Sequence, residues 1–244
     1  MSEGGTAVRR TEPGKKQKVL KLLYTVILIG LLALSVWNWL EEQRAAAITL
    51  AQVPDYSGKP YVVLQNNQPD FGLDDLTLEP FETYSELDGL GRCGTAYANI
   101  CLDIMPTEPR GEIGQVQPSG WHRVKYDCVD GRYLYNRCHL IGYQLAGENA
   151  NGKNLITGTR YMNVTGMLPF ENMVDSYVEE TGNHVLYRVT PVFRTSDLVA
   201  RGVQMEAFSV EDEGEGVCFN VFVYNVQPGI VIDYATGKSW EEGP

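Results

Sequence analysis

The chain is short of the residues from which most metal centres and nucleophilic sites are built. Its 244 residues include three histidines and five cysteines. No two cysteines form a C-x₂₋₄-C pair: Cys93, Cys101, Cys128, Cys138 and Cys218 are spaced 8, 27, 10 and 80 apart. That spacing argues against structural zinc, and the odd count leaves at least one thiol unpaired or paired between chains. Neither paired catalytic carboxylates nor a zinc triad has a recognisable spacing, which argues against a cell-wall hydrolase. There is no internal repeat and no low-complexity tract. A cationic excess is missing as well, since the net charge is −11, the wrong sign for a protein that coats nucleic acid.

The distribution of charge qualifies that last absence. Residues 41–109 hold 3 Lys/Arg against 12 Asp/Glu, and residues 164–244 hold 4 against 13. Between them, residues 110–163 hold Arg110, Arg123, Lys125, Arg132, Arg137, Lys153 and Arg160 against four carboxylates, a net of +3. A local positive field in an acidic body suits a polyanion bound at one place. Seven basic residues in that length are equally consistent with ordinary solvated surface.

Six Lys/Arg precede a run of nineteen uncharged residues, 22–40, and Glu41 and Glu42 follow it. At about 1.5 Å per residue the run just crosses a hydrocarbon core of about 30 Å. The charge asymmetry predicts a cytoplasmic basic N-terminus (1–21), a single transmembrane signal-anchor (22–40), a linker (41–59) and an external domain (60–244). A cleaved signal peptide, cut near Ala45–Ala47, is the competing reading. The run exceeds the usual signal-peptide core, which favours the anchor.

Beyond the linker, "YVVLQNN" (61–67) predicts a first strand, and residues 81–120 a short helical piece near 84–90 among loops. Residues 122–128 and 132–137 predict a hairpin about Asp130-Gly131, with His139 at or just past its second strand. Residues 155–167 suit strand or helix. A helix is expected over 169–181, closed by Gly182, with Phe170, Met173, Val174, Tyr177 and Val178 on one face. Strands follow at 184–193, 202–211 and 216–229, with the acidic 211–215 as a solvated turn. The sum is an α+β domain on a mainly antiparallel sheet.

One stretch concentrates the chemistry. "YNRCHLIG" (135–142) sets an arginine, a thiol and an imidazole side by side. In extended chain, neighbouring side chains point to opposite faces, so Cys138 and His139 could not share a proton as a catalytic pair. His139 has other polar company downstream: Asn149, Asn151, Asn154, Arg160, Asn163, Glu171 and Asn172. His122 and His184 have none and read as structural or exposed.

The run Asn136-Arg137-Cys138-His139 resembles the D-R-G-H signature of the DNA/RNA non-specific endonucleases, the His-Me finger or ββα-metal nucleases. Within that family it is similar to streptococcal-type secreted DNases and DNA-entry nucleases. The likeness runs through "HLIGYQLAGENANGKNLITGTRYMNVTGMLPFEN" to "YNVQPGIVIDYATG", about residues 60–236. Asn163 lies 24 after His139, Asn154 nine before Asn163, and Glu171 eight after it, all in register with the family's pattern.

The resemblance implies a ββα-metal core and metal-dependent, sequence-non-specific hydrolysis of phosphodiester bonds in DNA, with RNA as a second substrate. It implies His139 as general base, Asn163 as the protein ligand of one Mg²⁺ (or Mn²⁺), and Arg137 on the phosphate. Those types suit the chemistry, because an imidazole titrates near neutrality, a largely hydrated Mg²⁺ needs few protein ligands, and a guanidinium fits phosphate oxygens. Asn154 would hold His139 or the water, and Glu171 the metal's outer shell. Arg160 and Asn136 are candidate substrate contacts; Arg160 could equally be surface. Asn136 stands where Asp is commoner and Cys138 where Gly is, so Cys138 reads as structural, on the face away from the site, with a disulfide as one use. The other functional class that fits is an anchored nucleic-acid or polyanion binder without catalysis. Oligomeric state is not readable.

Overall fold

The computed structural model describes residues 13–45 and 48–243; within the first stretch, side chains are described at 14, 18 and 20–36. The chain divides into two compact units, Met1–Ala47 and Ile48–Pro244. The first is helix α1, Pro13–Ala45, rich in Leu and Lys, helix formers without a branch at Cβ. The side chains at 20–36 are exposed throughout, Leu22 at 66 % and Leu28 at 67 % among them. Among the described residues no helix is long and apolar enough to cross a membrane. Most of the basic flank and residues 37–40, which complete the uncharged run, lie outside the described side chains.

The second unit carries strands β1 (Tyr61–Val63), β2 (Phe81–Tyr84), β3 (Ala96–Ile100) and β4 (Tyr135–His139), then the one-turn helix α2 (Tyr143–Ala146) and β5 (Leu155–Thr159). A π-helical turn, Met162–Met167, runs into α3 (Leu168–Thr181). Strands β6 (Val185–Val192), β7 (Gly202–Ser209), β8 (Cys218–Tyr224), β9 (Ile230–Asp233) and β10 (Lys238–Glu241) complete it. Six strands make one antiparallel sheet in the order β1-β8-β7-β6-β3-β2, while β4 pairs with β5 and β9 with β10.

Period-two alternation decides what each sheet face meets. Tyr187, Val189, Val203, Met205, Ala207, Phe219, Val221 and Val223 point one way. They form the main core with Phe170, Val174 and Val178 of α3, one turn apart, with Cys138 of β4, and with Leu140 and Ile141 just after it. Along the opposite face, Arg188 pairs with the buried Glu206 at 2.9 Å, and Phe222 and Tyr224 pack on Ile48, Leu50 and Val53. The antiparallel pair β4–β5 followed by the helical segment 162–181 is the ββα core that the resemblance implies.

Several expectations are corrected. The linker shortens, because apolar Ile48, Leu50 and Val53 dock on the sheet despite the Pro and Asp around them, and Tyr224 donates to the Pro54 carbonyl. The hairpin at 122–137 reduces to one bridge, Lys125 to Tyr133, since β4 takes β5 as its partner and Trp121, Val124 and Tyr126 pack on Val129, Leu134 and Ile230. Residues 96–100, read among loops, form strand β3, inside the sheet between β6 and β2. Met173 turns outward at 47 % exposure, away from the face buried by Phe170. All five cysteines are free thiols, so no disulfide involves Cys138.

Candidate active site

His139 ends β4, where the chain leaves the ladder. It is only 6 % exposed. Its Nε2 lies 2.8 Å from the Asn149 carbonyl oxygen, which can only accept, so Nε2 carries the proton and Nδ1 the lone pair of the neutral ring. Nδ1 faces an Arg110 guanidinium nitrogen at 3.3 Å. Burial holds this imidazole below its ordinary range; the Asn149 bond opposes that, and the Arg110 charge adds to it. The outcome is a neutral imidazole whose remaining lone pair meets a cation.

Arg110 also lines a cleft of about 640 Å³, with Arg123, Arg137, Arg160, Asn136, Asn163, Trp121 and Tyr133 on its walls. Four arginines and no carboxylate line it, in a chain of net charge −11. Low-dielectric walls around charge of one sign concentrate the field, which draws in an anion. Arg137 lies over Trp121 at 4.2 Å and donates to the Val116 and Gly114 carbonyls, the latter at 2.7 Å. Arg160 makes bonds of 2.9 and 3.1 Å to one oxygen of exposed Asp130, a pair worth little in water. Asp130 thus has a partner beyond its turn.

Asn154 is wholly buried, and its amide is spent on one residue: Oδ1 accepts from Ile141 N–H and Nδ2 donates to Ile141 C=O, both at 2.9 Å. The Asn154 carbonyl also accepts from Leu140 N–H at 2.9 Å. These bonds fix the two residues after His139. Glu171 enters from the first turn of α3 with its carboxylate over Gly142. Burial pushes it up to about 8, against the pull of Arg110.

Asn163 sits on the π-helical turn, a helix form frequent at functional sites. Its Nδ2 donates to Asn136 Oδ1 at 3.3 Å, and its Oδ1 accepts from Cys138 Sγ at 2.9 Å. Cys138 therefore does not point away from the site. Burial raises its thiol far above the ordinary value, so it is a donor rather than a nucleophile.

A divalent cation can be tested against these donors. No group of three or more His, Cys, Asp or Glu gathers among the described residues, which leaves one amide oxygen and one buried carboxylate. That set suits a hard ion that keeps most of its water. The Tyr187 hydroxyl, buried beside Glu171 and Cys138, has no hydrogen-bond partner, as a site for ordered water requires.

The structure thus brings Asn136, Arg137, Arg160 and Asn163 to one cleft, links His139 to it through Arg110, and sets Asn154 behind the strand end. His122 bonds the Thr236 carbonyl and His184 pairs with Glu211. Sequence reasoning counted Arg110 in the basic segment and Asn149 in the polar company of His139, but gave neither a place in the site. The available signal was weak: Arg110 opens the basic segment, but lies 29 residues before His139.

A profile of the DNA/RNA non-specific endonucleases matches residues 76–211. The fold is similar to NucA from Streptococcus agalactiae with magnesium bound, at 28 % identity and TM-score 0.68, covering 77 % of this chain and 89 % of that one. It is also similar to the Sda1 nuclease with bound zinc, at 25 % identity and TM-score 0.62, covering 80 % and 100 %.

Proposed function

The chain belongs to the DNA/RNA non-specific endonuclease family, and from that premise we propose that it hydrolyses phosphodiester bonds of DNA, and of RNA as a second substrate, with His139 as general base and a divalent cation at Asn163. The observation that carries this reading is the hydrogen bond that selects the His139 tautomer. Its Nε2–H is tied to Asn149, so Nδ1 is the basic atom, and Nδ1 faces the arginine that joins it to the anion-binding cleft.

In the reaction, a phosphate entering the cleft draws Arg110 and Arg137 to its oxygens, where guanidinium forks bond in pairs. Arg110 thereby leaves Nδ1, which takes the proton of an incoming water, and the Asn149 carbonyl steadies the resulting imidazolium through Nε2–H. A cation held by Asn163 Oδ1, with Glu171 in its outer shell, would supply charge neutralisation at the phosphate and the leaving oxygen. Mg²⁺ is the ion we assign, with Mn²⁺ as an alternative, supported by the oxygen-only donors and by the magnesium in NucA.

The test is nicking of supercoiled plasmid by the full chain in Mg²⁺, with and without EDTA. Wild type should nick and EDTA should abolish it, while His139→Ala should lose at least about a hundredfold. Equal activity of wild type and His139→Ala would sink the assignment. Binding of plasmid without cleavage under every metal tried would favour the non-catalytic binder instead.

The same proposal places residues 22–40 across a membrane, with 1–21 in the cytoplasm and the nuclease outside. A helix exposing Leu and Ile on every side needs an apolar surround, which supports it. Release of the full chain from membranes by alkaline carbonate would rule that out.

A further inference from the structure

We propose that Cys138 is a positioning residue for Asn163, holding the Asn163 amide with its oxygen available to a cation, in partnership with Asn136. This rests on the reading of Asn163 as the metal ligand. It also gives a task to both positions at which the chain departs from the commoner D-R-G-H letters.

An asparagine amide can turn over, exchanging oxygen for nitrogen, and only the oxygen ligates a cation. Strand geometry supplies the means to choose. Asn136 and Cys138 are two apart on β4 and so share a face, while Arg137 and His139 take the other. From that shared face the thiol donates to Asn163 Oδ1 at 2.9 Å and Asn136 Oδ1 accepts from Nδ2 at 3.3 Å. The flipped amide would set oxygen against oxygen at Asn136 and exchange the S–H donor at Oδ1 for a weaker N–H bond to sulfur. A thiol is a weak donor, so it selects the orientation and leaves the second lone pair of Oδ1 for a cation.

The thiol sits in a fitted niche. Cys138 is 1 % exposed, with Met167 Sδ at 3.5 Å from Sγ. A Cβ at Gly158 would come within 2.7 Å of Cys138 Cβ and 2.6 Å of Met162 Cε. Position 158 on β5 thus leaves the room that the cysteine fills, and packing keeps Sγ on Asn163.

The experiment measures Mn²⁺ binding to the full chain by loss of the free-ion EPR signal, without nucleic acid. It compares wild type, Cys138→Ala, Cys138→Ser and Asn163→Ala, each checked for folding by circular dichroism. Cys138→Ala should bind Mn²⁺ about 3- to 10-fold more weakly, the range expected from one lost hydrogen bond. Cys138→Ser restores a donor and should stay within about twofold of wild type. If Cys138→Ala fails to fold, Cys138→Val, close to cysteine in volume and without a donor, replaces it with the same expectation. Wild-type affinity in the alanine variant, or a serine variant as weak as alanine, would overturn the proposal, while loss of Mn²⁺ binding in Asn163→Ala would leave the metal assignment standing. Undiminished Mn²⁺ binding by Asn163→Ala would overturn that assignment and this proposal together.

Discussion

The base proposed at His139 works only while the imidazole is neutral, and two features set where that ends. Burial first, and the Arg110 charge after it, lower its pKa below 6.5. The acid limb of kcat/KM should therefore fall below pH 6.5, and Arg110→Ala should move it upward, since removing a cation favours imidazolium. A limb that stays in place in that variant would show the charge to be irrelevant. The same shift bears on stability. The unfolded chain takes up a proton from pH 6.5 downward before the folded one does, so stability from this group is present above pH 6.5 and is lost as pH falls through the folded value. Asn154 works differently, because its amide serves the backbone. Asn154→Ala strands the Ile141 N–H and C=O in the core and should cost about 2–4 kcal/mol in urea unfolding. Unchanged stability with lost activity would instead make Asn154 a participant in the chemistry.

At the scale of elements, the site depends on how β4, β5 and the π-helical turn are held. The turn presses on β8 through Gly166, where a Cβ would overlap Val223 Cγ1. Gly166→Ala should push the turn and Asn163 off the sheet, lowering both the melting temperature and nicking. Adding Val223→Ala makes room and should recover most of both. Failure of the double variant to recover would mean that Gly166 matters for its backbone rather than its contact. The β4–β5 pair was foreseeable in part. Extended chain at 135–137 and the polar letters of its signature are local properties, whereas the pairing partner is not. Asp130-Gly131 favoured a hairpin with 122–128, but Leu155–Thr159 is wholly buried and competes better for β4.

At the scale of the molecule, charge is divided by function. An acidic body repels nucleic acid generally, and the cleft with its four arginines attracts it at one place. Raising monovalent salt from about 50 to 200 mM should therefore raise KM for DNA severalfold at constant Mg²⁺, with kcat nearly unchanged. A salt effect confined to kcat would argue that the cleft does not carry the encounter.

The amino-acid order alone determined the class of fold, the signature about His139 and the register of Asn154, Asn163 and Glu171, because strand alternation, helical faces and motif spacing are written in local order. It also placed the uncharged run 22–40. Tertiary structure decided the remainder. Arg110 reaches His139 across 29 residues, a carbonyl at Asn149 selects the tautomer, and Cys138 meets Asn163 where Gly158 leaves room. Backbone carbonyls and vacant glycine positions carry no letter for chemistry, and contacts across a loop follow from packing that no local period encodes.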